Sequence, residues 1–318
     1  MREDEKREHG TAALGLATGH MHGCLYSGNT AHPIYADVLT PVQPVPGRLP
    51  MVMIHGAFHT GAAYLTTPDG RPGWAPYFAR HGRSVYVIDW PGHGRSPAGP
   101  GFHTLSGHDI ARSMQSLVEE IGPCVLLAHS AGGPIAWQLA ENQSGLIKGI
   151  VGVAPGGPAN IQKALPDDPE AVAALRFDED AGCPIYSDPG TVFYVDVEFI
   201  RNYWANTPRF PVEALDRYAR SIVGESPRIL NERFHIGGAG LMVQNPAVIG
   251  QRPILIMTGE QDPRHPRKTD EALARYLGGD FCFLPDLGIT GNGHMLMLDD
   301  NSDDLARLIA TWLNEKGI

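Results

Sequence analysis

Short runs of apolar residues recur along this chain between glycine and proline residues, and they constrain the fold more than any other feature. Each run has four to seven residues and shows no regular apolar/polar alternation. Runs of this kind are typical of strands that are buried on both faces of a sheet. We therefore predict six buried strands, at residues 51–54, 84–90, 124–129, 148–154, 253–259 and 281–284.

Helical patterns separate most of these runs, for example at residues 109–121, 133–141, 268–277 and 302–313. Strands and helices in alternation predict a parallel sheet with helices on both faces. Ahead of the first run, two extended stretches around Ser27, Gly28 and Asn29 predict an antiparallel hairpin at a sheet edge. The expected fold class is α/β, with a mostly parallel sheet of eight strands.

The strand rhythm stops between residues 156 and 251. Helical, aromatic-rich pieces at residues 195–204 and 212–223 take the place of strands there. We interpret this segment as a helical lid inserted into the sheet domain. The predicted organisation is a core of residues 1–155 and 252–318 with a lid of residues 156–251.

The charge balance argues against nucleic acid as a partner. The formal net charge is −10 and the isoelectric point is about 5.7, so the protein as a whole repels phosphate backbones. Glycine-rich stretches match neither the dinucleotide fingerprint nor the P-loop, and we expect no cofactor.

The start of the chain is charged and lacks the apolar centre of a signal peptide, which predicts a cytoplasmic protein. No run of about 18 apolar residues occurs, so we expect no membrane span. The four cysteines lie far apart in sequence. Free thiols are the favoured interpretation, with a bridge that involves Cys24 or Cys183 as the alternative.

The strongest local motif is the hexapeptide AHSAGG at residues 128–133, directly after one predicted strand and directly before a predicted helix. Small residues flank Ser130, as a very tight strand-to-helix turn requires. Such a turn lifts a serine hydroxyl above the sheet and aims the next backbone N–H, that of Ala131, at a developing oxyanion. We predict that Ser130 is a nucleophile.

A second loop, His55-Gly56-Ala57-Phe58, follows the strand at residues 51–54. An enzyme with such a serine turn places a second oxyanion donor in this loop. We choose the N–H of Ala57, and the N–H of Phe58 is the alternative if the register differs by one residue.

Two further loops supply a base and an acid. Asp262 follows the strand at residues 253–259, and His294 lies in the glycine loop after the last strand. A neutral imidazole oriented by Asp262 could take the proton of Ser130 and later return it to a leaving group. Glu260 is the alternative acid. All these residues lie at the carboxyl ends of predicted strands, where open α/β sheets collect their ligands.

With these motifs the chain resembles an α/β-hydrolase over nearly its whole length. The turn DWPGHGRS at residues 89–96 is similar to the turn after the fourth strand of such enzymes. The segments at residues 67–74 and 291–298 resemble a subgroup of bacterial esterases, in which a glutamate after the sixth strand can supply the acid. The matching segment here, residues 153–158, contains no acid, and this favours Asp262.

The aromatic residues of the predicted lid should mostly pack it onto the core, and we expect Phe58, Tyr203 and Trp204 to line an apolar substrate pocket. Four lid arginines are expected to form a solvated face, although one could clamp a substrate carboxylate; they are Arg201, Arg209, Arg217 and Arg220. The histidines at positions 20, 22, 55 and 59 lack the spacing of ordinary zinc sites, so no metal is expected.

The resemblance and the motifs together predict a cofactor-independent serine hydrolase that acts on a small-molecule carboxylic ester or lactone. The alternatives are cleavage of an amide or carbon–carbon bond by the same residues, or a non-hydrolytic, ligand-sensing protein on the same fold. The oligomeric state stays open at this point, with a homodimer as one alternative.

Overall fold

A computed structural model describes residues 19–175 and 184–318. Its eight strands form one sheet in the order β1-β2-β4-β3-β5-β6-β7-β8. β1 is antiparallel to β2 and β2 to β4, whereas all other neighbours are parallel, which confirms the predicted fold class. The strands are β1 His20–Asn29, β2 His32–Pro41, β3 Met51–Ile54, β4 Val85–Asp89, β5 Cys124–His129, β6 Ile147–Val153, β7 Ile254–Thr258 and β8 Asp280–Phe283.

The edge hairpin turns slightly later than the sequence pattern suggested. Gly28 still belongs to β1, and the last register pair joins Asn29 to His32. The Asn29 side chain accepts hydrogen bonds from the backbone N–H groups of Ala31 and His32. This local side-chain bonding, common for asparagine in turns, holds the bend at Thr30 and Ala31.

Helices cover both faces of the sheet, as predicted. On one side Met51 and Met53 pack with α2 and α11, and on the other Val52 and Ile54 pack with α3, α4 and α10. Successive residues of β3 therefore face opposite sides, as the pleat of a strand requires. The helices of the described residues are α1 Ala62–Leu65, α2 Trp74–Arg80, α3 Gly107–Ile121, α4 Gly132–Asn142, α5 Pro169–Ala174, α6 Val197–Tyr203, α7 Leu215–Arg220, α8 Pro227–Arg233, α9 Pro246–Ile249, α10 Arg267–Leu277 and α11 Ser302–Glu315.

The segment between β6 and β7 contains α5 to α9, in short helices joined by irregular chain. Its predicted helical pieces appear as α6, and as a 3₁₀ turn at Val212–Ala214 followed by α7. Trp204, Phe210 and Tyr218 are buried in the same apolar cluster as β3 and β5. The segment is therefore packed onto the carboxyl ends of the strands by its aromatic residues.

Three of the four cysteines, Cys24, Cys124 and Cys282, are free, and Cys183 lies outside the described residues. No helix among the described residues is long and apolar enough to cross a membrane. In the same part of the chain no group of three or more histidine, cysteine, aspartate or glutamate side chains could hold a metal ion.

Asp89, at the end of β4, joins three parts of the core. Its buried carboxylate accepts hydrogen bonds from the backbone N–H of Gly61 at 2.8 Å and of Arg95 at 2.9 Å. The Arg95 guanidinium also donates to Asp89, at 3.1 Å, and to Asp37 on β2. The turn after β4 thus depends on one buried carboxylate.

We predict that Asp89→Ala lowers the free energy of unfolding by about 2 to 3 kcal/mol, because it leaves two backbone N–H groups without acceptors in the interior. The control is Asp286→Ala, which removes the exposed ion pair between Asp286 and Arg267 and should change stability by less than about 0.5 kcal/mol. Urea denaturation measures both variants, and equal losses would contradict the role given to Asp89.

Candidate active site

Ser130 occupies a tight turn between β5 and α4 with a left-handed backbone, φ 51°. The turn leaves no room for side chains around it. A Cβ at Gly132 would lie 2.7 Å from the carbonyl oxygen of His55, and one at Gly56 would lie 2.9 Å from the Cβ of Ser130. Both glycines are therefore required by close approach of the backbone, and Gly132 is one of the small residues that the hexapeptide predicted at this turn.

Three side chains from separate loops form one hydrogen-bonded chain. The Nε2 of His294 lies 3.0 Å from the Oγ of Ser130, and its Nδ1 lies 2.7 Å from the Oδ2 of Asp262. The histidine and aspartate side chains are buried. Glu260 instead accepts a hydrogen bond from the backbone N–H of Gly291 and is exposed. The structure thus places Asp262, and not Glu260, beside His294.

The loop that carries His294 is held by buried polar contacts. The Nδ2 of Asn292 donates to Asp299 at 2.7 Å, and the ring of His129 makes a 3.1 Å contact with the carbonyl oxygen of His294. Burial raises the pKa of Asp299 to about 7. A Cβ at Gly259 would lie 2.5 Å from the carbonyl oxygen of Asn292, so the chain directly after β7 is in backbone contact with this loop.

The electrostatics keep His294 neutral and Asp262 charged. Burial lowers the pKa of His294, and the neighbouring carboxylate of Asp262 only partly opposes this effect. Burial alone would raise the pKa of Asp262, but the attraction and hydrogen bond of His294 outweigh it and hold the pKa at about 2. A neutral imidazole next to a carboxylate is the state in which histidine accepts a proton.

Ala57 and Ala131 both line the pocket that contains Ser130, and each carries a backbone N–H. Within the described residues neither group has a hydrogen-bond acceptor. The N–H of Phe58 is bonded at 3.0 Å to the Oε2 of Glu225. Of the two residues considered for the second oxyanion donor, Ala57 therefore has the available N–H.

Glu225 is a site residue that sequence reasoning missed. Its side chain is fully buried, and besides Phe58 it contacts the Nε2 of His93 at 3.2 Å and accepts from the N–H of Ser226. Burial disfavours the charged form of His93, but Glu225 outweighs it and raises the pKa of His93. Phe58 itself has a left-handed backbone, φ 65°. Glu225 thus anchors the strained loop that carries Ala57.

Other buried histidines surround the site as neutral residues. Burial lowers the pKa of His55 and His129, and lowers that of His59 to about 4. His59 lies with its Nε2 2.8 Å from the hydroxyl of Tyr218, and His55 accepts a hydrogen bond from the backbone N–H of Trp90. His55 and His59 therefore act as hydrogen-bonding residues of the core.

The pocket above Ser130 is narrow, with a cavity volume of about 20 Å³. Phe58 and Trp204 line it, whereas Tyr203 does not belong to its lining and packs with its ring on Phe199. Two arginines that the sequence did not single out, Arg233 and Arg264, line the pocket.

The sequence profile described as the alpha/beta hydrolase family matches residues 51–308. The chain belongs to this family. A probable secreted lipase from a fungal species, phiG, is 26% identical to this family member over 350 aligned positions, which cover 89% of this chain and 86% of that protein.

Solved structures of bacterial esterases share the fold of this alpha/beta hydrolase. An esterase from Exiguobacterium antarcticum superposes with a TM-score of 0.63 at 15% identity, covering 91% of this chain and 98% of that one. A thermophilic esterase from Thermogutta terrifontis gives a TM-score of 0.60 at 18% identity, with coverage of 94% and 100%. At these identities the likeness concerns the fold alone.

We predict that Glu225→Gln lowers kcat for an ester substrate by about 10-fold or more with little change in KM, because a loosened Phe58 would misdirect the neighbouring N–H of Ala57. The control is Glu232→Gln, on α8, which also removes a buried carboxylate that accepts a backbone N–H but does not touch this loop. Steady-state kinetics of both variants measure kcat and KM separately. Equal kcat losses would show that only general stability is affected.

The lowered pKa of His294 gives a second prediction. Only the neutral imidazole can accept a proton, so protonation on acidification should inactivate the enzyme. We expect the acid limb of kcat/KM to have its midpoint below 6.5, the ordinary histidine value. A pH profile with a non-ionising ester measures it, and a midpoint at or above 6.5 would contradict the inferred environment of His294.

Proposed function

We propose that this protein is a serine hydrolase that cleaves carboxylic esters through an acyl-enzyme on Ser130. The observation that carries the proposal is the continuous chain of hydrogen bonds from Asp262 through His294 to Ser130. The lipase and esterase names of the similar proteins support an ester as the substrate. Lactones, which are cyclic esters, belong to the same proposal.

In the proposed reaction the Oγ of Ser130 attacks the carbonyl carbon while the Nε2 of His294 takes its proton. The N–H groups of Ala57 and Ala131 hold the resulting oxyanion. The bond to the leaving alkoxide then breaks, and His294 gives its proton to that oxygen. A water molecule, deprotonated by His294, attacks the acyl-enzyme, and the acid leaves as Ser130 regains its proton.

We also propose that residues 156–251 act as a lid over this site, on a core of residues 1–155 and 252–318. The support is that Ile185, Trp204 and Phe234, all from this segment, line the pocket together with Ser130. A cytoplasmic location stays a prediction from the start of the chain, since residues 1–18 lie outside the described part and a similar protein is named as secreted.

Ser130→Ala should lower kcat by about 10³-fold or more and should abolish covalent labelling by a fluorophosphonate. A panel of esters, lactones and amides, with mass spectrometry of the labelled peptide, makes the measurement. Labelling at Ser130 without ester turnover would point to an amide or carbon–carbon bond. Absence of both labelling and turnover in the parent protein would favour a ligand-sensing role.

Asp262→Asn should lower kcat by up to about 10⁴-fold, because the amide favours the wrong tautomer of His294. Glu260→Gln is the matched control and should stay within about 3-fold of the parent, since the hydrogen bonds of Glu260 in the described chain are with Gly291 and Gln261 and not with His294. A pH-stat or chromogenic ester assay measures both. A large loss of kcat in Glu260→Gln, together with near-normal kcat in Asp262→Asn, would assign the role of the acid to Glu260 instead.

A further inference from the structure

Arg233 places a cation inside the pocket of Ser130. It is the last residue of α8, and its half-buried side chain lines the pocket together with Ser130, Ala57 and Ala131. A Cβ at Gly156 would lie 3.0 Å from the Nε of Arg233. The N–H of Gly156 in turn donates to the carbonyl oxygen of Ser130 at 2.7 Å. The guanidinium is therefore separated from the backbone of Ser130 by a single glycine.

No carboxylate of the described chain accepts a hydrogen bond from Arg233. Its one hydrogen-bond partner there is the Nε2 of His265, 3.3 Å from an Nη atom, and His265 is bound on its other side by Asp270. A guanidinium that is partly removed from water is ordinarily paired with an anion, because a desolvated charge without a partner is unfavourable. Arg233 thus departs from that pattern at the position where a substrate would bind.

A second guanidinium, that of Arg264, adds positive charge to the side of the pocket that Arg233 lines. Arg264 lines the same pocket and lies over the rings of Phe199 and Phe234, with 5.3 Å from its guanidinium carbon to the Phe234 ring centre. Arg233 lies 5.4 Å from the same ring. Burial and then repulsion by Arg264 lower the pKa of Arg233 to about 10, although Asp270 and Asp262 oppose them. An anion bound to Arg233 would offset this repulsion.

We propose that the pocket selects esters whose acyl part carries a carboxylate, which Arg233 binds through its planar fork of N–H donors. The proposal rests on the ester hydrolase proposed above. A guanidinium fits a carboxylate in two parallel hydrogen bonds, and such bonds between charged groups are about twice as strong as neutral ones. The preferred substrates are then half-esters of short dicarboxylic acids.

Charge, and not only shape, would decide selectivity in this pocket. The other walls, formed by Phe58, Trp204 and Leu230, are apolar and would accept the methylene chain of the acid. The lid arginines considered from the sequence are excluded from this role, since Arg201, Arg209, Arg217 and Arg220 are absent from the lining. A neutral ester would leave Arg233 without an anionic partner.

The test compares 4-nitrophenyl half-esters of succinic, glutaric and adipic acid with their neutral carboxamide counterparts of equal length. We expect the parent protein to prefer the best charged ester by about 10-fold or more in kcat/KM. Arg233→Met should lower kcat/KM for that ester by about 30-fold, mainly through KM, and change the carboxamide by less than about 3-fold. The kcat/KM of Arg233→Lys for the charged ester should lie between those of the parent protein and Arg233→Met, because lysine keeps the charge but cannot donate two parallel hydrogen bonds.

The control is Arg201→Met, which removes an exposed arginine of α6 and should leave both substrates unchanged. A parent protein without preference for the charged ester would overturn the proposal. So would equal losses for both substrates in Arg233→Met and Arg233→Lys, which is the result expected if Arg233 only supports His265 and Asp270.

A binding measurement separates this proposal from that of the hydrolase itself. Monomethyl glutarate should bind Ser130→Ala in calorimetry, and the additional change Arg233→Met should weaken it by about 10-fold or more. If the parent protein neither reacts with a fluorophosphonate nor hydrolyses any ester, the proposed hydrolase fails while this binding still reports on the anion subsite. Absence of binding together with ester turnover would overturn the subsite alone.

Discussion

The left-handed turn at Ser130 is the constraint around which the rest of the site is arranged. A serine in this conformation is strained by about 1 to 3 kcal/mol, so the surrounding structure must hold it. Its backbone N–H donates to Val153 on β6, and its carbonyl oxygen accepts from Gly133 and Gly156. The neighbouring strand and the following chain therefore fix the turn from two sides. Glycines at 56 and 132 are needed because these backbones meet almost in contact.

The site also depends on buried pairs of a carboxylate and a histidine. Asp262 with His294, and Glu225 with His93, are two carboxylate–histidine pairs that lie in the interior within the same region of the fold. They differ in what the histidine does. Burial dominates at His294 and keeps it neutral, whereas Glu225 dominates at His93 and favours its charged form. One pair is suited to moving a proton, and the other is suited to holding a backbone loop.

The sequence predicted the sheet, its helices and the residues around Ser130, because each of these has a local pattern. Apolar runs mark buried strands, and small residues on both sides of a serine mark a tight turn. Glu225 and Arg233 have no such pattern. Each lies in irregular or short helical chain more than 90 residues from Ser130, and its role arises only when that chain folds back over the strand ends. The aromatic type of Tyr203 predicts a pocket position, but the direction of its side chain depends on how α6 packs, and sequence spacing does not determine that packing.

The bond between Glu225 and the N–H of Phe58 has a consequence for how this architecture can diversify. The segment between β6 and β7 does more than cover the site. Its residue Glu225 accepts a hydrogen bond from Phe58 and so supports a loop of the core. A chimera that exchanged this segment for that of a relative would leave the His93 ring and the N–H of Phe58 without their buried acceptor, unless the new segment also carried an acid at the same place. New specificity can therefore arise by residue changes on the pocket wall, as at α8, more readily than by replacement of the whole insert.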